Sequence, residues 1–136
     1  MASGRFVPTP DQDTVEFWHA AKRHELVVQH CDDCGNDQLY PRLLCMRCHG
    51  RRLGYRLASG KGTVYSKTIV RRAPSPALRD EVPYAIVLVE LDEGPRLMAN
   101  VVECAVEDLS IGMQVEVVFE DVSDSVSLPF FRPTLV

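Results

Sequence analysis

Four of the five cysteines in this 136-residue chain occur as two CxxC pairs with ten residues between the pairs. Cys31 and Cys34 form the first pair, and Cys45 and Cys48 form the second. Two such pairs offer the four soft thiolate ligands that tetrahedral zinc prefers, and iron is the lesser alternative because four thiolates also suit it. Since four protein ligands leave no open position for water or substrate, we expect a structural metal site that holds a small ribbon together.

The residues next to the cysteines refine this prediction. Gly35 follows the first pair and Gly50 lies two residues past the second, and we expect a positive φ at both as the chain turns back. His30 and His49 each adjoin a ligand cysteine and could replace one, but a surface position is the favoured interpretation. Cys104 stands apart in strand-like sequence and is predicted to be a buried, unreactive thiol.

No catalytic constellation is visible in the sequence. All four histidines lie at or before residue 49, and GxSxG, HExxH and GxxxxGK[ST] motifs are absent. A nucleophile needs a base beside it and a third group that orients the base. We therefore do not expect an enzyme that acts on its own.

The bulk composition is that of a globular chain. With 46% apolar and 25% charged residues, 136 residues suffice for one ordinary domain or two very small ones. No apolar run approaches the ~20 residues that cross a bilayer, and the start of the chain lacks the long apolar stretch typical of a secretory signal. We expect a cytoplasmic protein with no membrane contact, in a compartment where paired thiols bind metal more often than each other.

Charge is divided along the chain although the net charge is only −4. Residues 38–79 contain ten basic and no acidic residues, whereas residues 80–124 contain twelve acidic residues and one arginine. A ligand or partner could recognise separate positive and negative surfaces of this kind. An ordinary solvated surface explains the charge pattern equally well.

The coarse pattern predicts a helix followed by a mainly β chain. We expect a loose arm over residues 1–10, then a helix in DQDTVEFWHAAKRHEL, capped by Asp13 with Glu16 completing a capping box. Short strands flank the cysteines at LVVQHC and RLGYRL. In GTVYSKTIVRR, alternation predicts one face with Val64, Ser66, Thr68 and Val70 and another with Thr63, Tyr65, Lys67 and Ile69.

Four further strands are predicted downstream, in PYAIVLVELD, RLMANVVEC, QVEVVFEDV and LPFFRPTLV. Five strands at this spacing suit a small closed barrel of the OB-fold type. We therefore predict three parts: an arm and helix over residues 1–29, a rubredoxin-like zinc ribbon over 30–58, and a five-stranded OB-fold domain over 59–136.

Ribbons and OB barrels both occur in nucleic-acid-binding proteins, so a single-stranded nucleic-acid binder is one functional alternative. The basic segment favours it, but the sequence pI of about 5.5 and the scarcity of stacking aromatic residues speak against it. A polyanionic small molecule would need only two or three of the arginines.

The order of parts resembles the acyl-CoA-associated family of zinc-ribbon/OB-fold proteins, long catalogued as a domain of unknown function. The resemblance covers nearly the whole chain and rests on FWHAAKRHELVVQHC, CDDCGNDQLYPRLLCMRC, GKGTVYSKTIVRRAPSPAL, VPYAIVLVELDEGPRLMANVV, IGMQVEVVFED and LPFFRPTL. It implies a non-catalytic subunit of a hetero-oligomer, such as a heterotetramer, with a thiolase-fold enzyme that carries the catalytic residues.

The reaction that the resemblance implies is a retro-aldol cleavage of CoA thioesters in steroid side-chain degradation. Partnership with an acetyl-CoA acetyltransferase and a free acyl-CoA-binding protein are the alternatives. Only the four cysteines match a functional motif of the family residue by residue. We additionally predict CoA-phosphate contacts from Lys67, Arg71 and Arg72, because phosphates need paired cations. Apolar residues near both ends predict a partner interface, at Phe17, Trp18, Phe130 and Phe131. The alternative for Phe17 and Trp18, slightly favoured, is that they cover the main body of the chain.

Overall fold

The computed structural model describes residues 7–134. The first six residues of the predicted arm and the last two of the predicted final strand lie outside this range. The described chain is mainly β, with one N-terminal helix, a small cysteine-bearing sheet and a five-stranded, nearly closed barrel. The predicted fold class is confirmed.

The first part of the chain forms the helix and a three-stranded sheet. Helix α1 spans Val15–Lys22, and strands β1 (Val27–Cys31), β2 (Asp37–Gln38) and β3 (Leu53–Leu57) form an antiparallel sheet in the order β2-β1-β3. Strand β1 lies in the centre of this sheet and ends on the first cysteine, so the sheet itself positions one end of the candidate site.

The start of α1 differs from the prediction. Asp11, not Asp13, makes the polar contacts before the helix, since its Oδ1 accepts hydrogen bonds from the backbone N–H groups of Asp13 and Thr14, both at 3.0 Å. Thr14 is the N-cap residue and makes no side-chain cap bond. The predicted capping box of Asp13 and Glu16 is therefore wrong, because the chain turns around Asp11 before the helix begins.

The second part of the chain forms the barrel sheet. Its strands are β4 (Lys61–Val70), β5 (Tyr84–Leu91), β6 (Arg96–Asn100), β7 (Gln114–Asp121) and β8 (Ser127–Pro133), in the order β6-β5-β4-β7-β8. The two edge strands meet where Val101 bridges to Phe131, and the N–H of Val102 donates to the carbonyl of Phe131 at 2.8 Å. Below, the line along which β6 and β8 approach one another is called the seam.

Strand β4 contains a β-bulge that reverses its faces. The register with β5 shifts between Val64 and Ser66, so Tyr65 is the extra residue. Val64 and Ile69 both pack in the core, whereas Thr68 is exposed. The predicted alternation, which placed Val64 and Ile69 on opposite faces, is wrong because one inserted residue moves every later side chain to the other face.

The end of α1 is joined to the hairpin of β7 and β8. The His24 ring stacks on Phe119 with centroids 5.4 Å apart, and its Nε2 lies 2.9 Å from Oδ1 of Asp121. Hydrogen bonds from Ser127 and His24 lower the pKa of Asp121 to about 2. These contacts fix the helix over one end of the barrel.

Candidate metal centre

The four cysteines predicted as ligands come together at one point. Sγ of Cys31 lies 3.7 Å from that of Cys48, Sγ of Cys34 lies 3.6 Å from that of Cys45, and all four lie within 4.8 Å of one another. A disulfide would require about 2.05 Å, whereas sulfurs at the corners of a tetrahedron with ~2.3 Å zinc–sulfur bonds stand about 3.8 Å apart. The donor set and its spacing fit a tetrahedral metal ion.

The two cysteine pairs lie on turns of the same geometry. The N–H of Gly35 donates to the carbonyl of Cys31 at 2.8 Å, and the N–H of His49 donates to the carbonyl of Cys45 at 2.9 Å. Each donor lies four residues past the first cysteine of its pair, and each has a positive φ, 78° for Gly35 and 64° for His49. The prediction is thus confirmed at Gly35 and wrong at Gly50, because the turn places the left-handed residue one position earlier.

Backbone amides surround the sulfurs. The N–H groups of Arg47 and Gly50 donate to the sulfurs of Cys45 and Cys48 at 3.3 and 3.4 Å. Hydrogen bonds from the backbone of Cys48 and Arg47 lower the pKa of Cys45 to about 6. The Gly50 N–H lowers the pKa of Cys48, but burial and the neighbouring thiols outweigh it and raise that pKa to about 12. Four thiolates this close together would repel one another, and a bound divalent cation would offset that repulsion.

The histidines beside the cysteines do not join the site. Nδ1 of His30 lies 2.7 Å from Oδ1 of Asp37, which also accepts a hydrogen bond from Nε of Arg56 at 3.0 Å. The Arg56 guanidinium lowers the pKa of Asp37, with His30 contributing. His49 is exposed. Among residues 7–134, the cysteines form the one cluster of three or more potential metal-ligating side chains.

Two buried glutamines support the second cysteine pair, and no sequence pattern predicted this role for them. Gln29 and Gln38 face one another across β1 and β2, and Nε2 of Gln38 donates to Oε1 of Gln29 at 2.6 Å. Gln29 exchanges two hydrogen bonds with the backbone of Arg42, at 2.8 and 2.9 Å. Gln38 accepts from the N–H of Met46 and donates to the carbonyl of Leu44, the two neighbours of Cys45. Polar residues in a short strand are usually predicted to face solvent, whereas the side chains of Gln29 and Gln38 are buried.

Cys104 is only partly buried, so the prediction of a buried thiol is correct in part. Its Sγ lies 3.4 Å from the carbonyl oxygen of Ala105, and burial, with Asp108 nearby, raises its pKa. A raised pKa disfavours the thiolate, the nucleophilic form.

The residues predicted to bind CoA phosphates lie along and just past the end of β4. Nζ of Lys67 donates to the carbonyl oxygen of Leu109 at 2.6 Å, which ties this lysine to the loop before β7. Arg71 and Arg72 follow the last residue of β4 and are exposed. The described part of the chain gives neither arginine an ion-pair partner.

The residues predicted for a partner interface are mostly internal. Phe131 is fully buried, and Phe17 and Phe130 are 7% and 4% exposed, so these three phenylalanines belong mainly to the core. The prediction that Phe131 faces a partner is wrong, because the seam encloses it. Trp18 is half-buried and contacts Phe17 edge to face, with ring centroids 5.2 Å apart.

Trp18, Phe17 and Phe130 nevertheless border a common groove at the seam. The groove has a volume of about 290 Å³ and a mostly apolar lining. Tyr40 and Pro41 form part of its wall, and β6 contributes Leu97 to Asn100. The structure thus brings three of the four predicted residues to one concave surface, which was not visible from their positions in the sequence.

In the described range, no helix has the length and apolar character needed to cross a bilayer.

The fold and the cysteine site define the chain as a zinc-ribbon protein with an appended OB barrel. Family models match both parts: the rubredoxin-like zinc ribbon domain of ChsH2 over residues 18–54 and the C-terminal OB-fold domain of ChsH2 over residues 55–120. A DUF35 domain-containing scaffold protein of Methanocaldococcus jannaschii is 35% identical over 84% of this chain and 82% of its own length. The chain belongs to this DUF35 family.

Two further similarities are to a CoA hydratase subunit and to an aldolase structure. The 3-oxo-4,17-pregnadiene-20-carboxyl-CoA hydratase alpha subunit of Mycobacterium tuberculosis is 34% identical over 86% of this chain. The chain spans 40% or less of the length of the hydratase alpha subunits that it matches. A solved structure titled Ltp2-ChsH2(DUF35) aldolase matches 95% of this chain and 100% of the matched chain, with 34% identity and a TM-score of 0.85.

Proposed function

We propose that this chain is a non-catalytic accessory subunit of a thiolase-fold enzyme complex that acts on CoA thioesters. The observation that carries the proposal is the similarity to a chain of the Ltp2-ChsH2(DUF35) aldolase over 95% of the present chain. The two chains correspond over their ribbons and barrels together, so the similarity involves the whole arrangement of parts and not one motif. In this assignment the partner carries the catalytic residues.

The reaction we propose is a retro-aldol cleavage that shortens the side chain of a steroid CoA thioester. Two similar proteins support this choice: the aldolase of the solved structure and the pregnadiene-carboxyl-CoA hydratase alpha subunit. Both proteins match this chain at 34% identity. The CoA thioester is accordingly a ligand of the complex.

The four cysteines are proposed to hold one structural zinc ion. Their sulfur spacing fits the ion, and two backbone N–H groups of the second turn, those of Arg47 and Gly50, donate to the sulfurs of Cys45 and Cys48. A zinc ion with four protein ligands supplies cross-linking and no reactive position. Its binding would stabilise a sheet that buries few apolar side chains of its own.

The phosphates of CoA are proposed to bind at Arg71 and Arg72, with Lys67 as a third cation. The exposed arginines lie at the end of β4, beside a groove of about 280 Å³. Leu78, Tyr84 and Ile86 line this groove, which continues toward Met98 at the seam. Paired guanidinium groups suit phosphate oxygens, and an adjoining apolar channel suits a pantetheine chain.

A scaffold between enzymes of acetyl-CoA condensation is the second candidate. The archaeal relative named as a DUF35 scaffold protein favours it, because this chain covers 82% of that protein. In this alternative the partner is an acetyl-CoA acetyltransferase, and the same zinc ribbon and barrel join it to the complex.

Reconstitution tests the proposal. Three samples are incubated with a steroid side-chain β-hydroxyacyl-CoA: this chain alone, a separately purified thiolase-fold subunit alone, and the two proteins mixed. We expect one stable complex and aldol cleavage only in the mixture. Full cleavage by the thiolase-fold subunit alone, or by this chain alone, would contradict the proposal, whereas acetyl transfer in place of cleavage would select the second candidate.

A further inference from the structure

We infer that metal binding at the cysteines is coupled to the barrel seam, through residues 39–46 and the side chain of Tyr40. We call residues 39–46 the ribbon loop. The inference rests on the proposed zinc site and deepens it: the ion would set the shape of the seam groove, although Cys48 precedes strand β6 by more than 40 residues along the chain.

Apolar burial holds only the start of the ribbon loop, where the partly buried Leu39 packs against the core. Leu43 is 64% exposed, Met46 is 56% exposed and Leu44 is 38% exposed. Side chains that stay in water contribute little of the free energy that usually fixes a loop against a core. Other contacts must therefore hold this segment.

Hydrogen bonds from the glutamine pair supply part of the restraint. Gln29 holds the backbone of Arg42 on both its N–H and its carbonyl group, and Gln38 holds Leu44 and Met46. The last two residues flank Cys45, which is buried and directed at the other sulfurs. A metal ion on Cys45 and the glutamine amides thus restrain the same few residues, so loss of one weakens the hold of the other.

The other end of the loop reaches the barrel. The hydroxyl oxygen of Tyr40 accepts a hydrogen bond from the backbone N–H of Met98 at 2.9 Å. Strand β6 pairs with β5 alone within its sheet, so the outward amide of Met98 has no strand partner. Tyr40 supplies the acceptor that an edge strand otherwise lacks.

Tyr40 and Pro41 also line the seam groove, together with Phe17, Trp18 and Phe130. Displacement of the ribbon loop would therefore remove both the acceptor for Met98 and part of the groove. The proposed partner surface and the metal site are connected in this way through a single segment of chain.

Amide hydrogen exchange at Met98, followed by NMR in the full-length zinc-loaded protein, tests the contact. We expect Tyr40→Phe to keep its zinc and to exchange the Met98 amide at least about fivefold faster, the ratio equivalent to a hydrogen bond worth ~1 kcal/mol. Tyr65→Phe is the matched control, because Tyr65 is also exposed and its hydroxyl makes no hydrogen bond to residues 7–134. Equal exchange of Met98 in wild type and Tyr40→Phe would overturn the inference.

Removal of the metal tests the coupling. We expect chelation to accelerate exchange at Met98 by a similar or larger factor, while the Val64 amide, inside the barrel and bonded to Met113, stays protected. The Gln38→Leu variant, in which all four cysteines are intact, should retain zinc and should also show faster hydrogen exchange of the Met98 amide. The coupling is refuted if metal analysis shows complete removal of zinc while the Met98 amide exchanges at its original rate. It is also refuted if Gln38→Leu leaves that exchange rate unchanged. A protein that binds no zinc at all would instead refute the proposed metal site.

Discussion

Gly50 lies directly against Asp33: a methyl group placed on Gly50 would stand 2.6 Å from Oδ2 of Asp33 and 3.2 Å from Sγ of Cys48. The glycine therefore has a steric role and not the conformational one that its position predicts. Its hydrogen atom lets the chain after the second cysteine pair close over the turn of the first pair.

Substitution of Gly50 by alanine tests this packing. The carboxylate of Asp33 can rotate away, but the Cys48 sulfur is fixed once it binds metal, so Gly50→Ala should destabilise the zinc-bound ribbon by about 1–3 kcal/mol. Competition with a chromogenic chelator measures the change in zinc affinity. Gly54→Ala is the control, since a methyl group there meets nothing within 4 Å. Equal zinc affinities for the two variants would show that the contact is unimportant.

Loss of a ligand tests the role of the cysteine cluster. Cys45→Ser removes a buried sulfur and, with it, the restraint on both neighbouring loop residues, so we expect loss of bound zinc and early unfolding of the ribbon. Cys104→Ser removes a thiol outside the cluster and should keep zinc and stability within about 1 kcal/mol of wild type. Metal analysis and thermal unfolding of both proteins provide the comparison. A Cys45→Ser protein with a full complement of zinc would disprove the assignment.

Asp121 gives the protein a pH-dependent component of stability. Because the Ser127 and His24 hydrogen bonds lower its folded pKa to about 2 from the ordinary 3.8, this carboxylate stabilises the fold above about pH 4. That contribution decreases as pH falls from about 4 toward 2. The urea midpoint of Asp121→Asn should therefore lie below that of wild type at pH 7, and the difference should shrink at pH 3.

The difference between the two midpoints, and not either midpoint alone, is the measured quantity, because acid also weakens zinc binding in both proteins. Asp124→Asn serves as the control, since Asp124 is an exposed aspartate in the same hairpin. A difference for Asp121→Asn that stays constant from pH 7 to pH 3 would show that the hydrogen bonds to Asp121 do not stabilise the folded state.

Phe131 distinguishes a core position from an interface position. Its side chain is fully buried at the point where β8 meets the end of β6, so Phe131→Ala should cost about 3–5 kcal/mol in the free protein. Tyr65→Ala, at an exposed aromatic residue, should cost less than about 1 kcal/mol. Urea unfolding of the isolated chain measures both. A small change in the free energy of unfolding for Phe131→Ala would instead support the prediction that Phe131 belongs to a partner interface.

Much of this structure follows from spacing in the sequence, and the exceptions have physical causes. The CxxC spacing predicts the ligand cluster because only a few turns bring two sulfurs of one pair to a common point. Strand positions follow from apolar runs bounded by glycine and proline. The bulge at Tyr65 could not be predicted, because an inserted residue leaves the local composition unchanged while it exchanges the faces of β4.

Contacts between segments that are distant in the chain could not be predicted from the sequence either. The inward direction of Gln29 and Gln38 depends on the path of the ribbon loop, which no local pattern describes. Aromatic residues near the two chain ends suggested a partner surface, but the fold brings those ends together and covers Phe131 with its own chain. Sequence patterns report periodicity within an element, and these features arise between elements.

The four thiolates are proposed to hold one metal ion that cross-links the two cysteine turns. Native mass spectrometry of the purified full-length chain tests this most directly, because zinc-bound, reduced and disulfide-bonded forms differ in mass. We predict one zinc ion per chain with the thiol protons of the four cysteines displaced. A chain purified without chelator that carries no metal, either fully reduced or with the cysteines oxidised to disulfides, while its ribbon sheet is folded would contradict this assignment.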